Sequence, residues 1–348
     1  MKTRQIHLVA RPEGPAAPAH FALVEATLPP LAEGQVLVRN QWMSVDPYMR
    51  RSMEAEATDL EPWPLHAPLN GPSIGVVIQS RNPRFPEGCL VESMSGWQEH
   101  FISDGDEFVP YLSADMAIAR RDLTGGAQPQ DFLGLLGVAS QTGYFGMMCA
   151  ASLVAGQTAV ISSAAGTVGS VACQIARLHG MRVVASAGTD DKVAWLRDVA
   201  GADHAFNYKE VAFADAFREA CPDGIDLVLE SASPEHLSAC LPFMKEKGTI
   251  LIAGFVGIYE RGGKVRNIDN FEYVLDRFLT IKSYPFMDYL GHYDQFVADM
   301  VGWRNAGKLV FREQHYAGLE QAPQALIDLL AGRTSGKPLV FLGDGDGA

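Results

Sequence analysis

Gly166 and Gly169 stand in Ala164-Ala165-Gly166-Thr167-Val168-Gly169, a G-x-G-x-x-G pattern with alanine in the first place, directly after an apolar run at 158–163. Glycine at 166 lets the main chain approach a pyrophosphate with no side chain in the way, and glycine at 169 lets a helix, expected over 170–179, pack close on the strand. A pyrophosphate would then cap that helix. After a second apolar run at 181–187 the chain carries Ala187-Gly188-Thr189, where an NAD-selective site places an acidic residue on the ribose 2′-hydroxyl. Thr189 or Asp190 would cap the next helix and Lys192 would lie in its first turn, where a cation opposes the helix dipole. A phosphate beside it removes that conflict, so the stretch reads as an NADP(H) site rather than an NAD(H) site. The plainer reading of Lys192 is a solvated surface lysine. Tyr208, in Phe206-Asn207-Tyr208-Lys209, would lie beside the adenosine or bond the same phosphate; alone it would be an ordinary surface tyrosine.

Such residues need a parallel sheet behind them. From 123 to 307, apolar strands at 158–163, 181–187, 225–230 and 249–254 alternate with helical stretches, the pattern of a doubly wound Rossmann sheet. Residues 1–122 instead show short alternating runs, such as 35–40, broken by proline and glycine, as an all-β unit would. The tail, 308–348, with a helix at 321–331 and a strand at 337–341, is expected to complete that first domain. Its glycine-rich end, 343–348, is expected to stay unstructured.

A chain of 348 residues with 47% hydrophobic and 20% charged residues fits two packed domains. The net charge of −13 argues against nucleic acid or an anionic membrane as partner, since both call for a basic surface. No stretch approaches the roughly 20 apolar residues of a membrane span. Cys89, Cys149, Cys173, Cys221 and Cys240 are odd in number and scattered, which suits reduced thiols packed as small hydrophobes in a cytoplasmic protein.

Taken together the motifs resemble the zinc-free medium-chain dehydrogenase/reductases, in the branch of leukotriene B4 dehydrogenase, prostaglandin reductase, alkenal double-bond reductase and curcumin reductase. The N-terminal signature is Met43-Ser44-Val45-Asp46-Pro47-Tyr48-Met49-Arg50. Further along come Met94-Ser95-Gly96-Trp97-Gln98-Glu99, Thr142-Gly143-Tyr144-Phe145-Gly146, the glycine turn, Phe206-Asn207-Tyr208-Lys209, and Ile252-Ala253-Gly254-Phe255-Val256-Gly257-Ile258-Tyr259. The resemblance spans nearly the whole chain. It implies a GroES-like β domain joined to a Rossmann domain, an active site in the cleft between them, and a homodimer. It places NADP(H) on Thr142, Gly166, Thr167, Val168, Gly169, Lys192 and Tyr208, with the main chain of Phe255, Val256 and Gly257 along the nicotinamide. Glu230-Ser231-Ala232-Ser233 stands where relatives carry Asp-Asn-Val-Gly, so Ser231 takes the place of the usual asparagine contact. Thr334 replaces a second asparagine, and Pro72 falls where plant double-bond reductases have a pocket tyrosine.

The five cysteines have no C-x₂-C spacing, so a structural zinc site is not available. Gly71-Pro72-Ser73 stands where zinc-dependent relatives carry Gly-His-Glu, and His66 is alone in a proline-rich loop. With no metal ligands to polarise a simple ketone, hydride addition to an activated C=C bond is the natural chemistry. The negative charge then appears on the carbonyl oxygen of a conjugated ketone or aldehyde, which needs a preorganised donor. Tyr259 matches the family tyrosine given that place. Tyr48 resembles a second pocket tyrosine, and Asp46 and Arg50 read as a buried ion pair fixing their loop. Arg261, Lys264 and Arg266 could meet an acidic substrate, although a solvated loop is the plainer reading. Two other readings stay open: a quinone or pathway-specific reductase on the same scaffold, and an NADPH-binding protein without turnover.

Overall fold

The computed structural model describes residues 1–56, 61–105, 117–261, 264, 265 and 267–343, with 260 and 261 described by their backbone alone. Most of the glycine-rich end, residues 344–348, lies outside them. The chain divides into two compact units: Met1–Gly134 with Glu313–Thr334 and Pro338–Ala348, and Leu135–Arg312 with Ser335–Lys337.

The first unit is β-rich. Strands β1 (Lys2–Leu8) and β2 (Phe21–Thr27) form an antiparallel hairpin. Strands β3 (Val36–Ser44), β4 (Ser73–Ser80), β5 (Leu90–Ser93), β6 (His100–Ser103) and β7 (Ile118–Arg121) join the late strands Glu313–Ala317 and Lys337–Phe341 in one sheet among the described residues. The pairing of β3 with β4 shifts register between Asn40 and Trp42. Buried Asn40 ties this irregularity down, its Nδ2 donating to the carbonyls of Ser95 at 2.7 Å and Gln98 at 2.8 Å. Beyond β3 the chain turns through Tyr48 into the short helix α1 (Met49–Ser52). Trp63 and Trp97 meet edge to face at 5.4 Å in the core, packed among Met43, Met49 and Leu326.

The second unit is a doubly wound sheet of six parallel strands among the described residues: β8 (Thr158–Ile161), β9 (Arg182–Ala187), β10 (His204–Asn207), β11 (Ile225–Glu230), β12 (Met244–Ile252) and β13 (Thr280–Ser283). Every residue of β8 is buried, as a strand covered on both faces requires. The order is β10-β9-β8-β11-β12-β13. The order in which strands are added therefore reverses between the parallel neighbours β8 and β11, and the crevice for a ligand lies beyond the carboxyl ends of these strands. The helices are α2 (Val138–Phe145), α3 (Thr167–Leu178), α4 (Asp190–Asp198), α5 (Phe213–Ala220), α6 (Pro234–Cys240), α7 (Tyr273–Asp276) and α8 (Tyr293–Asn305). The fold class thus agrees with the sequence reading. One difference bears on the site: the helix expected from 170 begins at Thr167, because Gly166 at φ −79°, ψ 172° is its extended N-cap. Thr167, Val168 and Gly169 are accordingly its first turn.

Candidate active site

The glycine turn joins β8 to α3. A Cβ on Gly169 would lie 2.6 Å from the Cα of Ala164 and 2.7 Å from the carbonyl oxygen of Ser163, so this position admits glycine and the helix packs directly on the turn. A Cβ on Gly166 would meet only the Ser163 carbonyl, at 3.2 Å, and Gly166 is exposed, which leaves space above the turn. No side chain caps α3. A helix start left without a side-chain cap, next to an exposed glycine, is the arrangement that receives a phosphate. Thr142 lies on α2, its hydroxyl donating to the Val138 carbonyl at 2.9 Å, and neighbouring Gly143 is pressed against α3, where a Cβ would stand 2.7 Å from the Val168 carbonyl oxygen.

A second cluster surrounds the ends of β9 and β10. β9 stops at Ala187 with no carboxylate, and Tyr208 is held by its amide donating to the Ala187 carbonyl at 3.1 Å. The Tyr208 hydroxyl leans over Gly188, 2.9 Å from where a Cβ would be. Thr189 is the N-cap of α4 but makes no side-chain capping bond; Asp190 instead accepts from Asn207 Nδ2 at 2.9 Å. Lys192 is half-buried in the first turn of α4. Burial first, then the charges of Lys209 and Arg312, hold its ammonium below the usual lysine value. Arg312 also lies over the ring of Trp195, 5.8 Å from its centroid, on the Lys192 face of α4. Lys209 stands in the sequence motif with no role given to it, and Arg312 is absent from the sequence reading. Lys209 adjoins Tyr208 and was within reach of the motif, but nothing local marks Arg312.

The third group lies past β11. Ser231 is buried, its amide donating to Ser162 Oγ at 2.7 Å and its hydroxyl to the Ser162 carbonyl at 3.3 Å. Carbonyls of this turn hold the following segment: Ala253 donates to Glu230 at 2.8 Å, Val256 to Ser231 at 3.2 Å and Gly257 to Ala232 at 2.8 Å. The 3-10 turn Val256–Arg261 grows from these anchors. It carries Tyr259, whose hydroxyl lies 3.6 Å from where a Cβ on Gly254 would stand. Phe255 and Val256 are half-buried and Gly257 is exposed.

Tyr48 belongs to the other unit and is partly buried. The expected Asp46–Arg50 ion pair does not form. Asp46 accepts from the Ser44 hydroxyl at 2.5 Å, while Arg50 pairs with Glu54 at 3.4 Å and donates to the Gly14 carbonyl at 3.0 Å. Glu54 is one helical turn beyond Arg50, on the side that the short helix presents to it. Pro72 and Thr334 are buried. Of the basic cluster, Arg266 lies outside the described residues, Arg261 is described by its backbone alone, and Lys264 is exposed. Among the described residues no group of three or more His, Cys, Asp or Glu side chains is placed to hold a metal ion, and no helix is long and apolar enough to cross a membrane.

Residues 4–111 match the family model described as the N-terminal domain of oxidoreductase, and residues 167–295 that of a zinc-binding dehydrogenase. Prostaglandin reductase 1 of Bos taurus is 33% identical over 340 residues, covering 97% of each chain. NADPH-dependent curcumin reductase of Escherichia coli (strain K12) is 31% identical over 353 residues, covering 99% of this chain and 98% of that one. The crystal structure of CurA in complex with NADPH from Vibrio vulnificus superposes with a TM-score of 0.89 at 30% identity, over 98% of this chain and 99% of the other.

Proposed function

Since the chain belongs to the zinc-free branch of the medium-chain dehydrogenase/reductase family, we propose that it reduces the C=C bond of α,β-unsaturated ketones or aldehydes with NADPH. The observation that carries this reading is the anchoring of the Tyr259 segment to residues 230–232, at the carboxyl ends of β11 and β12, in the same unit as the glycine turn.

The residues present fit the dinucleotide. The open face of Gly166 and the uncapped amides of Thr167, Val168 and Gly169 suit a pyrophosphate. Lys192 and Tyr208, joined by Lys209 and Arg312, suit a ribose 2′-phosphate. Thr142, Ser231 and the main chain of Phe255 to Gly257 are assigned to the nicotinamide end. Bound NADPH supplies a hydride for the β-carbon. Tyr259 donates a hydrogen bond to the carbonyl oxygen, where charge develops, and the α-carbon takes its proton from that hydroxyl or from water. Tyr48 keeps the pocket role that its loop signature gives it.

NADPH absorbance at 340 nm against a linear enone, a 2-alkenal, a quinone and a saturated ketone tests the assignment. Turnover of the enone or alkenal, much faster with NADPH than with NADH, supports it. Turnover of the quinone alone favours a quinone reductase, a reading kept in view by the Glu230-Ser231-Ala232-Ser233 departure. NADPH binding with no turnover favours a non-catalytic protein.

The quaternary assignment is a homodimer through the edge of the parallel sheet. β13 is the last strand of the sheet among the described residues, and next to it Leu275 and Phe278 are 79% and 70% exposed. Apolar side chains of that size beside a strand edge are what a second copy would cover. Sedimentation at micromolar concentration should give twice the chain mass, and Leu275→Glu with Phe278→Glu should give the monomer. All five cysteines are free thiols, which suits the proposed cytoplasmic location.

A further inference from the structure

Glu230 is the last residue of β11 and is completely buried. Its Oε1 accepts from Ser162 Oγ at 2.9 Å and from the amides of Ala232 at 2.6 Å and Ser233 at 3.0 Å. Its Oε2 accepts from His236 Nδ1 at 2.5 Å. His236, in the first turns of α6, is 1% exposed and packs edge-on against Phe213 and Phe217, with ring centroids at 5.0 and 5.6 Å. Its Nε2 has no hydrogen-bond partner among the described residues. The imidazole is therefore held to the polar network through Nδ1, with the Cys240 sulfur at 3.7 Å from the same atom.

A carboxylate taken out of water needs a counter-charge and a full set of donors. The imidazole and three further donors meet that need. The consequence reaches beyond α6, because Glu230 stands where the strand order reverses. Ser162, bound to its carboxylate, is one residue before the loop that becomes the glycine turn. The carbonyls of residues 230, 231 and 232 receive the amides of Ala253, Gly254, Val256 and Gly257. One buried pair thus shapes the turn that connects the dinucleotide loop to the segment carrying Tyr259.

We propose that Glu230 and His236 are positioning residues for the reduction: their pair fixes the 230–233 turn, and through it sets Tyr259 relative to the glycine turn. The inference rests on the assignment of Tyr259 made above. A residue of this kind changes the rate of the chemical step while leaving the ligands' ground-state binding in place.

The experiment compares His236→Leu, His236→Asn, Ser162→Ala and Tyr259→Phe, reading kcat, KM for a 2-alkenal, NADPH Kd by fluorescence and thermal melting. Asparagine keeps an N–H donor near the place of Nδ1, and leucine removes it. His236→Leu should lose about tenfold or more in kcat with KM and NADPH Kd within about threefold, and His236→Asn should recover most of that loss. Ser162→Ala should show the same split more weakly, and it decides the question if His236→Leu does not fold. A His236→Leu or Ser162→Ala protein that melts earlier but keeps the wild-type kcat would reduce the pair to a structural element and overturn the proposal. If Tyr259→Phe loses activity while those variants keep it, only this inference falls. If Tyr259→Phe turns over normally, the reading of Tyr259 falls and this inference with it.

Discussion

The guanidinium of Arg312 lies over the indole of Trp195 at 5.8 Å from its centroid, three residues along α4 from Lys192. The stacking places a second fixed cation on the face where the phosphate of NADPH is assigned, and Lys209 adds a third. A protein of net charge −13 has gathered cations there. Lys192→Ala and Arg312→Ala should each weaken NADPH by about 1.5–3 kcal/mol, roughly ten- to hundredfold in Kd, while leaving NADH nearly unchanged. Titration of tryptophan fluorescence with NADPH, NADH and adenosine 2′,5′-bisphosphate reads this directly. Equal weakening of both dinucleotides would remove the 2′-phosphate assignment.

Tyr259→Phe deletes the proposed donor and keeps the ring. Loss of one such donor costs about 10²–10³ in kcat, and NADPH affinity should be retained. A variant within a few-fold of wild type in kcat would mean that the oxygen is stabilised elsewhere.

Gly169→Ala tests the turn. The added Cβ would meet backbone at 2.6 and 2.7 Å, atoms that cannot swing aside. The variant should melt at lower temperature and bind NADPH at least about tenfold more weakly, because α3 must move off the loop that presents its amides. Unchanged binding would place the pyrophosphate elsewhere.

The Glu230–His236 pair has a signature in pH. Burial disfavours the imidazolium, but Cys240 and Glu230 more than offset it and raise His236 well above 6.5. A histidine raised on folding adds stability that is fully present below its unfolded pKa and is lost as pH rises through the folded value. Melting temperature should therefore fall from about pH 6.5 upward, and His236→Asn should flatten that part of the curve. A flat wild-type profile would contradict the pairing.

Much of the second unit was legible because parallel strands and glycine turns are local signals: the run at 225–230 matches its strand residue for residue, and in the first unit the run at 337–341 does the same. The start of α3 was misplaced by three residues because an extended glycine is its cap, and the usual polar capping side chain is missing. The Asp46–Arg50 pair was read from spacing alone, and spacing could not show that the Ser44 hydroxyl already occupies the carboxylate. Arg312 reaches Trp195 only through tertiary packing. His236 lacked any motif, since its meaning comes from Glu230 at the end of another element.

The most direct test of the central claim uses NADPH carrying deuterium on the transferred side of C4, a 2-alkenal as substrate, and NMR of the product. The account predicts the saturated aldehyde with deuterium on the β-carbon. Deuterium on the former carbonyl carbon of an allylic alcohol, or no consumption of NADPH with any conjugated carbonyl, would contradict it.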